Sequence, residues 1–213
     1  MAQNMEYIEQ EVKKWSMVEH LQNCFIKNDS KLPDDVLMLH GMSTPNIRNL
    51  LNNIVSMDGA RYLEVGVWKG ATFVSALYGN TPDYACAVDN WSENSKPAFD
   101  ANVARYITTE FSVLTGDSFN VNPEKGINIY FYDASHKKEA QYKALEYYYP
   151  YLADEFIFIA DDYNFEPARI GTQNAIRELR LKILFNKRIG EAPYNEKATS
   201  EWWLGLYVAV LSK

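Results

Sequence analysis

The chain has 213 residues, 47% of them hydrophobic and 23% charged, with a net charge of −7. That length bounds one well-cored domain with at most a small appendage. The acidic balance argues against a non-specific nucleic-acid binder, which needs clustered Lys and Arg to meet phosphates, and no apolar run is long enough to span a bilayer.

Residues 5–57 read as helical: Ile8, Val12 and Trp15 fall at helical spacing, as do Ile47, Leu50, Leu51 and Ile54. Asn28-Asp29-Ser30 and Pro33 break this segment, and Ser43-Thr44-Pro45 reads as a helix start. From residue 60 the pattern alternates. Strands are expected over 61–65, 84–89, 111–115, 127–133 and 155–160, and helices over 71–78, 97–107, 137–149 and 167–179. Such alternation implies a mostly parallel sheet with both faces covered. The tail departs from it: 182–189 and 202–211 are both strand-like, no helix fits between them, and they must pair as an antiparallel hairpin. Trp202 and Trp203 are expected to begin that last strand, one facing each side of the sheet. Residues 1–58 form a helical cap in this reading, and 59–213 the α/β domain.

Cys24 and Cys86 match no metal-ligand spacing and read as reduced thiols of a cytoplasmic protein. The first six residues lack a basic stretch followed by an apolar one, so no signal peptide is expected. His20 and His40 read as structural, and the tyrosines at 147–149 and 151 as packing at a helix end.

Three motifs fall at successive strand ends. Glu64-x-Gly66-x-x-x-Gly70 follows the first strand: Gly66 permits a tight turn and close approach of backbone to a ligand, and the helix amides beyond Gly70 can meet a carboxylate or phosphate. Asp89 ends the second strand, where an acidic side chain can accept both hydroxyls of a ribose. Gly116-Asp117-Ser118 follows the third, a polar pair able to bond an adenine edge. Two further clusters, Asp133-Ala134-Ser135-His136 and Asp161-Asp162-Tyr163-Asn164, close the fourth and fifth strands. An open α/β sheet builds its site where strands end, so three carboxylates and an imidazole are expected to converge there, suited to a divalent cation beside a general base.

In order, Glu64, Gly66, Gly70, Asp89, Asp117, Ser118 and Asp133 resemble the motifs of class I S-adenosylmethionine-dependent methyltransferases, over roughly residues 60–213. The resemblance implies a Rossmann-like, seven-stranded, mostly parallel sheet of order 3-2-1-4-5-7-6 with a C-terminal antiparallel hairpin. It also implies that the Gly66 backbone contacts the methionine part of S-adenosylmethionine, Glu64 supports the loop, Asp89 binds the ribose and Asp117 with Ser118 lies at the adenine. Trp91 falls beside the adenine or packs as an ordinary Trp. Within the class, Asp133, His136, Asp161 and Asp162 are similar to the metal-dependent O-methyltransferases of macrolide-sugar and catechol type. That similarity makes Asp133, Asp161 and Asp162 ligands of Mg²⁺ and His136 the base, with Asn164 as an alternative ligand. The Leu152–Glu155 segment departs from the Pro-Gly-Gly turn common there.

The expected activity is O-methylation of a small hydroxylated acceptor, a sugar or glycosylated metabolite, without nucleic-acid or membrane partners. The aromatic-rich composition is compatible with a homo-oligomer. The alternatives are a metal-independent methyltransferase acting on another nucleophile, a nucleotide- or dinucleotide-binding Rossmann enzyme, and a non-catalytic cofactor-binding protein. The dinucleotide reading would favour Gly-x-Gly-x-x-Gly, which residues 64–70 lack.

Overall fold

The computed structural model describes residues 16–27, 30–192 and 201–213, so the expected helical positions Ile8, Val12 and Trp15 lie outside the described residues. Helix α1 (Met17–Ile26) starts at a capping box: Ser16 Oγ accepts from the Glu19 amide and Glu19 Oε2 accepts from the Ser16 amide. Helix α2 (Asp34–Leu37) is a single turn, and α3 (Pro45–Val55) opens with Thr44 as its cap and Pro45 at its first position.

Strand and helix then alternate: β1 (Arg61–Val65), α4 (Ala71–Leu77), β2 (Tyr84–Asp89), α5 (Lys96–Tyr106), β3 (Ser112–Thr115), β4 (Ile127–Tyr132), α6 (Lys138–Tyr148), β5 (Leu152–Ala160), α7 (Glu166–Glu178), β6 (Lys182–Ile189) and β7 (Leu206–Ser212). They form a seven-stranded sheet ordered β3-β2-β1-β4-β5-β7-β6. β1 to β5 run parallel, while β7 pairs antiparallel with both β5 and β6. This is the Rossmann-like methyltransferase fold with its C-terminal antiparallel hairpin.

The strands divide their side chains between two cores, as a period of two requires. Tyr62, Ile129, Phe131, Ile157 and Val208 face a core shared with α1, α3, α4 and α5. Leu63, Val65, Tyr130, Phe158 and Ala209 face one shared with α6 and α7. The cap helices α1 and α3 thus lie on the same apolar layer as the sheet.

Two expectations are corrected. β5 begins at Leu152 rather than 155, with a register irregularity against β4 between Ile127 and Ile129. β7 begins at Leu206, not at the tryptophans. Trp203 (φ +52°) and Gly205 (φ +78°) are left-handed, which a strand cannot accommodate, and the Gly205 amide donates to the Trp202 carbonyl at 2.8 Å to close a turn. That turn is pinned to the segment after β5, since the amides of Tyr163 and Asn164 donate to Gly205 and Leu204. No helix among the described residues is long and apolar enough to cross a membrane.

Candidate functional site

Order reverses between β1 and β4, and at such a switch point the carboxyl ends of neighbouring strands open a crevice. A cleft of about 730 Å³ lies there. Its floor is set by one close contact. Gly66 has φ +96°, and a Cβ at this position would sit 2.0 Å from the Asp133 carbonyl oxygen. The turn after β1 and the loop after β4 therefore touch backbone to backbone, which only glycine permits. The Gly66 amide also donates to the Val88 carbonyl (2.8 Å) and the Asp133 amide to Val65 (2.9 Å), tying three strand ends together.

Glu64 lies beneath this turn, fully buried. Tyr62 Oη and Thr72 Oγ1 donate to its two oxygens. Burial pushes its pKa up to about 7, and the two hydroxyls draw it back only in part. Gly70 (φ +80°) is a packing glycine, for a Cβ there would meet the Phe99 ring at 2.8 Å. Glu64 and Gly70 thus support the cleft from behind its lining.

Asp89 does line the cleft. Its Oδ2 accepts from the Trp68 amide (2.8 Å) and its Oδ1 from the Trp91 amide (2.7 Å), which fixes the carboxylate while leaving a lone pair on each oxygen. The Trp91 side chain turns elsewhere: Nε1 donates to Thr115 Oγ1 at 2.9 Å and the ring packs 5.1 Å from Phe99. Trp91 is not a lining residue, whereas Asn90, Ser92 and Glu93 around it are.

Asp117 and Ser118 line the same wall, where Asp117 Oδ1 accepts from the Phe119 amide at 2.9 Å. Phe119 itself is a lining residue that sequence reasoning missed. Its ring stacks on Tyr132 with centroids 6.4 Å apart and planes 16° apart, offering an aromatic face beside Asp117. An aromatic directly after the Gly-Asp-Ser turn was the available signal.

The opposite end is acidic. Asp133, His136, Asp161 and Asp162 all reach the cleft. His136 Nε2 lies 3.3 Å from Asp162 Oδ2. Asp162 takes a left-handed φ of +53°, a sparsely populated conformation for a non-glycine residue. Burial lowers the His136 pKa, and the Asp162 charge offsets part of that. Burial first, and then the charges of Asp161 and Asp162, hold Asp133 well above the carboxylate range. Asp161 is pushed up to about 7 by burial and by the Asp162 charge.

Eight buried side-chain polar atoms of the described residues lack a hydrogen-bond partner: six belong to cleft-lining residues, namely Trp68, Ser95, Tyr132, His136, Asp161 and Asp162. Unsatisfied buried groups cost stability, so their concentration here marks a surface shaped for a ligand.

The acidic residues have the oxygen chemistry Mg²⁺ prefers. They do not form a cage: among the described residues no group of three or more His, Cys, Asp or Glu side chains comes together to hold a metal. Asn164 is not among the cleft-lining residues, and its buried Nδ2 donates to the Gly190 carbonyl at 2.7 Å, anchoring the end of β6.

Residues 63–163 match the sequence family described as a methyltransferase domain. No curated protein sequence matches significantly. Among solved structures, an O-methyltransferase from Bacillus cereus in complex with SAH superposes with a TM-score of 0.59 at 16% identity, covering 95% of this chain and 94% of that one. A candidate RNA methyltransferase from Pyrococcus horikoshii gives 0.59 at 14% identity, with coverages of 92% and 98%. The ribosomal protein L11 methylase of Lactobacillus delbrueckii subsp. bulgaricus gives 0.55 at 14% identity, with coverages of 79% and 77%. At such identities the likeness is one of fold. The matched segment runs from β1 to the loop after β5, and with this fold it supports S-adenosylmethionine-dependent methyl transfer as the activity.

Proposed function

We propose that the chain is an O-methyltransferase that transfers the methyl group of S-adenosylmethionine to a small hydroxylated acceptor, a sugar or glycosylated metabolite, with His136 as general base. The observation that carries this reading is the His136–Asp162 pair in the cleft floored by Gly66. With the Nε2 proton assigned to the contact with Asp162, the other ring nitrogen, Nδ1, is buried and without a protein partner. A lone pair there can take a hydroxyl proton.

Methyl transfer from a sulfonium needs alignment and exclusion of water more than covalent help. The acceptor oxygen attacks the methyl carbon in line with the departing sulfur, and the C–S electron pair stays on sulfur as S-adenosylhomocysteine forms. The hydroxyl proton passes to His136 Nδ1, and the Asp162 carboxylate stabilises the resulting imidazolium. The backbone at Gly66 and the Asp89 carboxylate are the proposed methionine and ribose contacts, with Asp117, Ser118 and Phe119 at the adenine. No step is assigned to Mg²⁺, because the acidic residues form no ligand cage; a requirement for it remains part of the comparison with chelator.

The test is an acceptor screen of glycosides and catechols with purified protein and labelled cofactor, run with Mg²⁺ and with EDTA. Turnover that survives EDTA supports the base-only scheme. Turnover lost in EDTA and restored by Mg²⁺ adds the cation. Methylation confined to RNA or to a protein side chain overturns the small-molecule reading.

A further inference from the structure

Arg48 is 2% exposed, and among the described residues no carboxylate pairs with it. Burial lowers its pKa to about 10, so it stays charged at neutral pH. A buried charge needs every donor placed well. Arg48 Nη1 donates to the Leu37 carbonyl at 2.6 Å and to Val36 at 3.4 Å, at the end of α2. Its Nε donates to Ser43 Oγ at 2.9 Å. A planar guanidinium can hold these acceptors at once, as an ammonium cannot.

Ser43 belongs to a strap, residues 41–44, that crosses the cleft. At one bank Gly41 lies flush on α4, where a Cβ would stand 2.5 Å from Ala71 Cβ and 3.0 Å from Arg48 Nη2. Ala71 is the lining residue that follows the turn after β1. At the other bank Thr44 Oγ1 donates to the Glu201 carbonyl, beside the 202–205 turn that is bonded to Tyr163 and Asn164. Between the banks, Met42 and Ser43 line the cleft, and Met42 is 57% exposed. A second tie, His40 Nδ1 to Lys69 Nζ at 3.0 Å, is open to solvent and correspondingly weak.

We propose that Arg48 is a positioning residue for the bound cofactor: through Ser43 it pins the 41–44 strap across the cleft, and the pinned strap slows cofactor release. The inference rests on the reading of the cleft as the S-adenosylmethionine site. Arg48 is not among the cleft-lining residues, and its effect is carried by the strap.

The test uses the full chain, with S-adenosylhomocysteine as the probe. Amide hydrogen exchange is measured without ligand in the wild type, Ser43→Ala and Arg48→Met, and release of S-adenosylhomocysteine is followed by tryptophan fluorescence. In both variants exchange at 41–43 is expected to rise about tenfold while β1 and β4 keep their protection, and release to quicken about fivefold. Because Arg48→Met removes a buried charged group and is the variant at risk of not folding, Ser43→Ala carries the test alone if it fails. Unchanged strap exchange in a folded variant overturns the pinning role, and a loosened strap with unchanged release overturns the retention role. If the wild type binds no S-adenosylhomocysteine, the cofactor reading fails and retention fails with it, while ligand-free exchange still reports whether Arg48 pins the strap.

Discussion

At the scale of single residues, His136 and Gly66 carry the most consequence. Replacing His136 with Ala removes the proposed base, so turnover of a verified acceptor should fall roughly 10²–10⁴-fold while affinity for S-adenosylhomocysteine stays within about threefold. The base works as neutral imidazole. Because burial lowers its pKa below 6.5, activity should hold through neutrality and decline only as pH falls below that value. Asp162 pulls the other way, so Asp162→Asn should move the acid limb of kcat/KM to lower pH. A profile that does not move in this variant would remove Asp162 from the scheme. Gly66→Ala puts a methyl group into the Asp133 carbonyl at a left-handed φ, and should cost at least about 2 kcal/mol in urea unfolding.

At the scale of elements, β1 and α4 are joined through Glu64, which accepts from Thr72 across the turn. Its folded pKa of about 7 stands above the ordinary 4.5, so between those values the folded state binds the extra proton. The contribution to stability is therefore fully present below about pH 4.5 and is lost as pH rises through 7, about 3 kcal/mol at most. Glu64→Gln should flatten the fall in stability between pH 5 and 8, measured by urea midpoints, without abolishing it, because Asp161 titrates in the same direction. The alternation from β1 to α7 was legible in the sequence because strand and helix periods differ and glycine or proline punctuates them. The hairpin was legible by exclusion, since no helix fits between its strands. The start of β7 was not, because Trp202 and Trp203 have strand-like side chains and their turn is imposed by bonds to residues far earlier in the chain, Tyr163 and Asn164. Clustering of Asp133, His136, Asp161 and Asp162 in one cleft followed from strand ends. That His136 pairs with Asp162 did not follow, for it depends on side-chain distances that spacing cannot supply. Nor did the inward turn of Trp91, set by Thr115 and Phe99 on other elements.

At the scale of the whole molecule, both cores meet on a single sheet, and a ligand bound at its switch point should stabilise all of it. S-adenosylhomocysteine at 100 times its Kd should add about 2.7 kcal/mol, which for a domain of this size raises Tm by roughly 5–10 °C. Differential scanning fluorimetry reads this directly, and no shift at saturating ligand would contradict the cofactor site. The backbone contact between Gly66 and Asp133 has a bearing on how such a protein can diverge. It sets the spacing between the turn after β1 and the loop bearing His136 through main chain alone, so no side-chain exchange at the surface can re-gauge it. Variation that seeks a new acceptor has to leave this pivot alone and work on what is draped over it, the 41–44 strap and the Trp203 turn. The two strand ends are thereby inherited as one piece, and the segments draped over them become the interchangeable part.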